Sequence, residues 1–241
     1  MSERSFGRNP APAWMRPITE RLSPTIRNLV IAEAVLFGLY IMAAPLRLPI
    51  TTHLALGPMF AVGQYWQPAT ALFVHLDLWS FVFDLIGLWF VGATIERTLG
   101  RRRFLIIFFG AGLAANVAMA LLMTVLQWPG IYAGCGDCVL AIFVALGVLF
   151  GRSEVRVFGT LVLQARVLTY VLVGMSVLSA LLQRAWPSLA GTLVAVGMGY
   201  FLSGGKTGPI LNVLTRWTRR RRNVLEVLEG GRGKRGKKYV N

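Results

Sequence analysis

Six long apolar runs alternate along this chain with connections that are polar, proline-rich or basic. They lie near residues 28–45, 69–92, 103–127, 136–151, 166–184 and 187–203. A helix needs roughly 17–25 mostly apolar residues to cross a bilayer, and the runs are of that order. They are continuous rather than alternating, so they do not carry the pattern of a transmembrane barrel. Helices follow because lipid offers backbone N–H and C=O groups no partner but each other. The pattern predicts an all-α membrane protein: a six-transmembrane-helix domain over 28–203, between a polar segment 1–27 and a tail 204–241. "RLSPTIRN" reads as a helix start, with Ser23 as cap and Pro24 at the first helical position. The connection from Pro45 to about Pro68 is apolar for a loop. Its Pro45, Pro49, Gly57, Pro58 and Gly63 argue against a span, so it is expected to lie in the interface or dip into the bilayer. Gly191, Ala195 and Gly199 recur at steps of four in the sixth run, and Ala141 and Ala145 in the fourth. Such small-residue stripes predict that these two helices pack closely.

Composition agrees with this placement. Hydrophobic residues make up 55% of the chain and charged ones 15%, against about a quarter charged in a soluble domain. The net charge of +15 is concentrated in four clusters, Arg4 to Arg27, Arg97 to Arg103, Arg152 to Arg166 and Arg216 to Lys238. With six spans all four fall on one side, and basic loops face the cytoplasm. Both termini are therefore expected to be cytoplasmic, in a bacterial inner membrane. No short apolar core precedes residue 28, so a cleaved signal peptide is not expected. The tail carries Arg219, Arg220, Arg221 and Arg222 beside the last span. A polybasic segment so placed is expected to meet anionic lipid or an acidic partner. It has no aromatic stacking platform for RNA, and no DNA partner is expected.

Candidate chemistry sits in two stretches. The first is "QYWQPATALFVHLDLWSFVFDLIGLWFVGATIERTLGRRRF", with Asp84 and Glu96 within or at the end of the second run. Ionisable groups there usually pair or face a wet cavity. The second is "IYAGCGDC", where Cys135 and Cys138 flank Gly136 and Asp137 at the head of the fourth run. The cysteines read as small packed residues, as a local disulfide, or as a redox or metal site. A metal could recruit Cys135, Cys138 and Asp137, with His75 or Asp84. Two cysteines alone do not assign it, so no metal or cofactor is predicted.

The first stretch resembles the rhomboid family of intramembrane serine proteases. Trp66-Gln67 precedes His75 as in the family's first-loop element, and Thr70, Phe73 and His75 form T-x-x-F-x-H. Leu88 through Gly100, with Glu96, form L-W-F-x-G-x-x-x-E-x-x-x-G. The resemblance covers about 28–203 and implies a six-helix fold. It also implies a serine in G-x-S-G at the head of the fourth helix, a histidine base on the sixth, and a histidine–asparagine pair on the second that helps bind the oxyanion. Each of these positions departs here. Gly136 stands for the serine, Ser188 for the base, and Ser80 and Asp84 for the oxyanion pair. Glycine has no nucleophile, serine is no base near neutral pH, and a carboxylate repels an oxyanion. A shift of one residue would make Cys135 the nucleophile, but then no histidine is expected to serve it. The chain has only His53 and His75, and His75 matches a structural position.

The reading is a pseudoprotease that binds transmembrane helices of clients or partners without cleaving them. Trp66, His75, Asp84, Asp137 and Ser188 are its candidate contacts. The alternatives are a subunit of a larger membrane complex, and an active protease or thiol redox protein using Cys135.

Overall fold

The structure is a computed structural model, and it describes residues 23–43, 50–157 and 161–204. Of the expected segments 1–27 and 204–241, residues 1–22 and 205–241, with the arginines of the tail, lie outside the described residues. Among those described, four helices are long and apolar enough to cross a membrane. These are α1 (Pro24–Ala43), α4 (Leu78–Leu99), α5 (Arg101–Leu126) and α7 (Ala165–Leu182). Two shorter apolar helices, α6 (Gly136–Phe150) and α8 (Trp186–Leu202), complete an all-α membrane bundle. The short helices α2 (Ile50–Leu54) and α3 (Gln67–Thr70) lie between α1 and α4. One antiparallel ribbon, β1 (Glu154–Val157) with β2 (Leu161–Gln164), joins α6 to α7, with Glu154 opposite Gln164. The sequence pattern gave no sign of it.

Local rules set the helix ends. Ser23 caps α1 as its sequence predicts, its Oγ accepting from the Ile26 amide at 3.2 Å. The same hydroxyl donates to Glu96, which ties the start of α1 to the end of α4. The second run was expected to be helical from residue 69, but α4 starts at Leu78. The reason is Asp77, whose carboxylate accepts from the Ser80 amide at 2.8 Å as an N-cap. That bond holds the exposed Asp77 carboxyl below the usual carboxylate range. Residues 67–73 instead form α3 and a following 3-10 turn, and Val74 is extended. Midway along α4 a π-helical turn, Leu88–Gly92, interrupts the α-helical pattern.

The core lies between α4, α5, α6 and α8, where Phe104, Phe108, Leu88 and Ile142 are fully buried. The expected close pair of α6 and α8 is present. A Cβ on Gly199 would stand 2.7 Å from the Ala141 carbonyl oxygen and 2.9 Å from its Cα. The stripe also serves α5: a Cβ on Gly191 would stand 2.7 Å from Met119 Cε.

The connection before α4 is pinned by side chains rather than by a core of its own. Gln67 is fully buried. Its Nε2 donates to Thr52 O at 3.0 Å and Gln64 Oε1 at 3.1 Å, while its Oε1 accepts from Gly57 N at 3.1 Å. Trp66 Nε1 donates to His53 O at 2.9 Å, and its ring is half-exposed beside exposed Val62 and Tyr65. Buried Asn116 on α5 donates to Pro68 O at 2.9 Å. A two-way backbone bridge between Leu56 and Tyr132 fastens this connection to the segment that leads into α6.

Two predictions follow from this packing. Gly199→Ala forces the α6 and α8 backbones apart and should cost about 1–3 kcal/mol, the usual range for overpacking. Gly197→Ala, with nothing within 4 Å of its Cβ position, should be close to neutral. Unfolding in mixed detergent micelles reads the difference. Gln67→Ala strands the Gly57 amide and the Thr52 carbonyl, each worth about 1–3 kcal/mol if left unsatisfied. Limited proteolysis should then cut within residues 50–66 several-fold faster while α5 to α8 stay intact. Equal rates in mutant and wild type would refute the pinning role.

Candidate functional site

Four segments converge on one buried polar cluster: α1, the extended stretch before α4, α4 itself, and the turn into α6. The turn needs glycine. Gly134 has φ +115°, a region that L side chains rarely adopt, and its amide donates to Ala71 O at 2.9 Å. It swings the backbone inward and leaves Cys135 as the residue before α6, 1% exposed. Asp84, one turn and a half into α4, faces this turn: a Cβ on Gly136 would stand 3.6 Å from Asp84 Oδ1, and one on Gly134 3.6 Å from Asp84 Oδ2.

His75 is the centre of the cluster and is fully buried. Its Nε2 lies 3.2 Å from Asp84 Oδ2 and 3.9 Å from Cys135 Sγ. Sγ in turn lies 3.6 Å from the same Asp84 oxygen. On the other side of the ring, Nδ1 is 3.6 Å from Glu33 Oε2 of α1. That separation is too long for a hydrogen bond. Both Glu33 oxygens and His75 Nδ1 are buried without a hydrogen-bond partner among the described residues. Phe37 and Phe81 wall the imidazole edge-on, with centroids at 6.3 and 5.4 Å, and stack on each other at 4.2 Å. Glu33, His75 and Cys135 each offer a metal-ligating atom, and these atoms lie within 4.8 Å of one another.

The remaining candidate residues are placed elsewhere. Ser80 belongs to the helix cap: its Oγ donates to Asp77 O at 3.1 Å. Asp137, in the first turn of α6, looks toward α8, where Thr192 Oγ1 lies 3.5 Å from its Oδ1. Ser188 is part-buried in the first turn of α8. Trp66 stays at the outer connection. Cys135 and Cys138 are free thiols, so the local disulfide is not formed. They face apart, with Cys138 Sγ packed into the notch left by Gly112 on α5.

One expectation needs correction. The sequence suggested that no histidine serves Cys135, because His75 looked structural. The structure brings His75 Nε2 within 3.9 Å of the thiol. Chemically this is a buried thiol, a buried imidazole, the buried Glu33 carboxylate and the partly exposed Asp84 carboxylate. A thiolate is favoured beside cations; the Asp84 carboxylate lies 3.6 Å from Sγ and opposes a negative charge there. The residue that sequence reasoning missed is Glu33. The available signal was a lone ionisable side chain in an apolar run, the rule that did select Asp84.

Comparison with known proteins agrees with the fold. A family model described as the Rhomboid domain matches residues 62–205. A putative rhomboid protease of Bacillus subtilis, YdcA, is 27% identical over 141 residues, 57% of this chain and 63% of that one. The rhomboid protease GluP of the same organism is 33% identical over 60 residues, 25% of this chain and 12% of its own. Rhomboid-like protease 2 of Toxoplasma gondii is 31% identical over 84 residues, 35% of this chain and 29% of that protein. The chain thus spans less than two thirds of the length of each of these relatives. With the domain matched over more than half its length, on a bundle of apolar helices, the chain belongs to the rhomboid family.

Proposed function

We propose that this rhomboid-family protein binds the transmembrane helices of client or partner proteins without cleaving them. The observation that carries the reading is the head of α6. The family resemblance puts Gly136 in the serine's place, and the nearest atoms to its missing Cβ are the carboxylate oxygens of Asp84. Hydrolysis needs a nucleophile there and donors for developing negative charge. An acceptor-rich pocket suits a different task. When a client helix unwinds near it, backbone N–H groups lose their partners, and Asp84 and Asp137 accept from such groups. Trp66 and the exposed side chains near it would meet the client or lipid at the interface. The distribution of basic residues supports a bacterial inner-membrane site with both termini cytoplasmic. The tail with Arg219 to Arg222 would bind anionic headgroups or an acidic partner.

A second reading is favoured by one distance, the 3.9 Å between Cys135 Sγ and His75 Nε2. In it the pair forms the nucleophile and base of a cysteine protease. The two separate in proteoliposomes carrying a single-span substrate. The non-cleaving protein should cross-link to intact substrate, and product should form no faster with wild type than with Cys135→Ala or His75→Ala. Cleavage at least ten-fold above those variants would overturn the adaptor reading. Recovery of one partner at fixed stoichiometry in mild detergent would instead identify a complex subunit.

A further inference from the structure

The cluster around His75 gathers metal-ligating groups that the proposed function does not use. Glu33 is 1% exposed and His75 fully buried, yet both Glu33 oxygens and Nδ1 lack hydrogen-bond partners among the described residues. Buried polar atoms normally have partners, and those that do not call for an explanation such as a bound ion. Asp84 and Cys135 add a second carboxylate and a thiol on the far side of the ring. Three groups that can carry negative charge thus surround one imidazole in a medium of low dielectric. A divalent cation would turn that repulsion into attraction and would hold the thiol deprotonated.

The geometry selects the atoms. Zinc binds nitrogen and oxygen at about 2.0–2.2 Å and thiolate sulfur at about 2.3 Å, in a tetrahedron. The edges of such a tetrahedron are then about 3.4 Å for nitrogen to oxygen and about 3.6 Å for either to sulfur. His75 Nε2, Asp84 Oδ2 and Cys135 Sγ are separated by 3.2, 3.9 and 3.6 Å. These spacings fit hydrogen bonds among the three groups and are also close to those edges. Glu33 lies on the opposite nitrogen, at 3.6 Å from Nδ1. Metal-bound histidines commonly donate their other N–H to a carboxylate, which fixes the tautomer and ring orientation. A modest approach of the two groups would make that bond. Cys138 and Asp137 stand outside the set, since they face α5 and α8.

We propose that His75 Nε2, Cys135 Sγ and Asp84 Oδ2 bind a zinc ion, with Glu33 orienting the imidazole from its other side. A mixed set of one imidazole, one thiolate and one carboxylate suits a borderline-soft divalent ion and not the all-oxygen shells of magnesium or calcium. Water would complete a tetrahedral shell. The ion would join α1, the stretch before α4, α4 and the turn into α6 at one point.

The full-length protein is purified in mild detergent, freed of any affinity tag and dialysed against a chelating resin. Zinc is then added and unbound metal removed. About one zinc per chain should remain, and its X-ray absorption fine structure should fit one sulfur with nitrogen and oxygen neighbours. That measurement needs no variant. Cys135→Ser and His75→Ala should lower retained zinc at least ten-fold, whereas Cys138→Ser should not. Glu33→Gln should weaken affinity ~10–100-fold, the usual effect of losing an orienting carboxylate, with the shell unchanged. No retained zinc, a shell without sulfur, or a shell with two sulfurs would overturn the assignment. Cleavage that depended on zinc would overturn the adaptor reading and leave the metal site standing.

Discussion

The imidazole of His75 faces a carboxylate at each of its nitrogens, and the arrangement of α1 against α4 depends on that. Ionisable groups inside a membrane protein are costly unless they meet one another. Glu33 reaches His75 from α1, Asp84 reaches it from α4, and Cys135 closes the cluster from the turn into α6. α1 buries few of its residues otherwise, chiefly Thr25, Ile26, Glu33 and Phe37. Two of its tethers are therefore polar: Glu33 toward His75, and Ser23 to Glu96 at the opposite end. Phe37, stacked on Phe81 against the imidazole, adds the apolar part of the same contact.

The aromatic wall and the connection before α4 have a common purpose. Phe37 and Phe81 exclude water from the ring, which strengthens every electrostatic interaction it makes. Gln67, Thr70 and Asn116 hold the backbone of residues 52–70 by their side chains. Gly134 fastens to Ala71 from the other direction. The stretch carrying His75 is thus fixed at its start by α3 and its hydrogen bonds, and at its end by the Asp77 cap of α4. A histidine on an unanchored loop could not keep both nitrogens at set distances from two helices.

Much of this was legible in the sequence, for identifiable reasons. The bundle was, because continuous apolar runs have one structural solution in lipid. The α6–α8 contact was, because glycine and alanine at steps of four leave only backbone to pack against. The start of α4 was not: hydropathy counts "ATALFVHLDLW" as one run, whereas a single capping bond at Asp77 decides where the helix begins. Gln67 could be matched to a family element, but its bonds depend on the backbone at 52, 57 and 64. Glu33 carries no motif. Its significance exists only when α1 is laid beside His75. The closeness of His75 to Cys135 was illegible for the same reason, since it passes through the fold.

The sign of the cluster's polarity is what both proposals rest on. A site that splits amides must stabilise negative charge, so it is lined with N–H donors. Cys135 faces the His75 imidazole and the Asp84 carboxylate, and Glu33 stands behind the imidazole. Asp137 adds another carboxylate on the α8 side. Gly136, the first residue of α6, has no side chain at all. Such a pocket attracts cations and hydrogen-bond donors. A zinc ion and the exposed amides of an unwound client helix are both of that kind, which is why the two proposals are compatible in one small volume. With zinc bound, Asp84 Oδ2 is engaged, and Asp137 on the α8 side becomes the carboxylate left to meet a client.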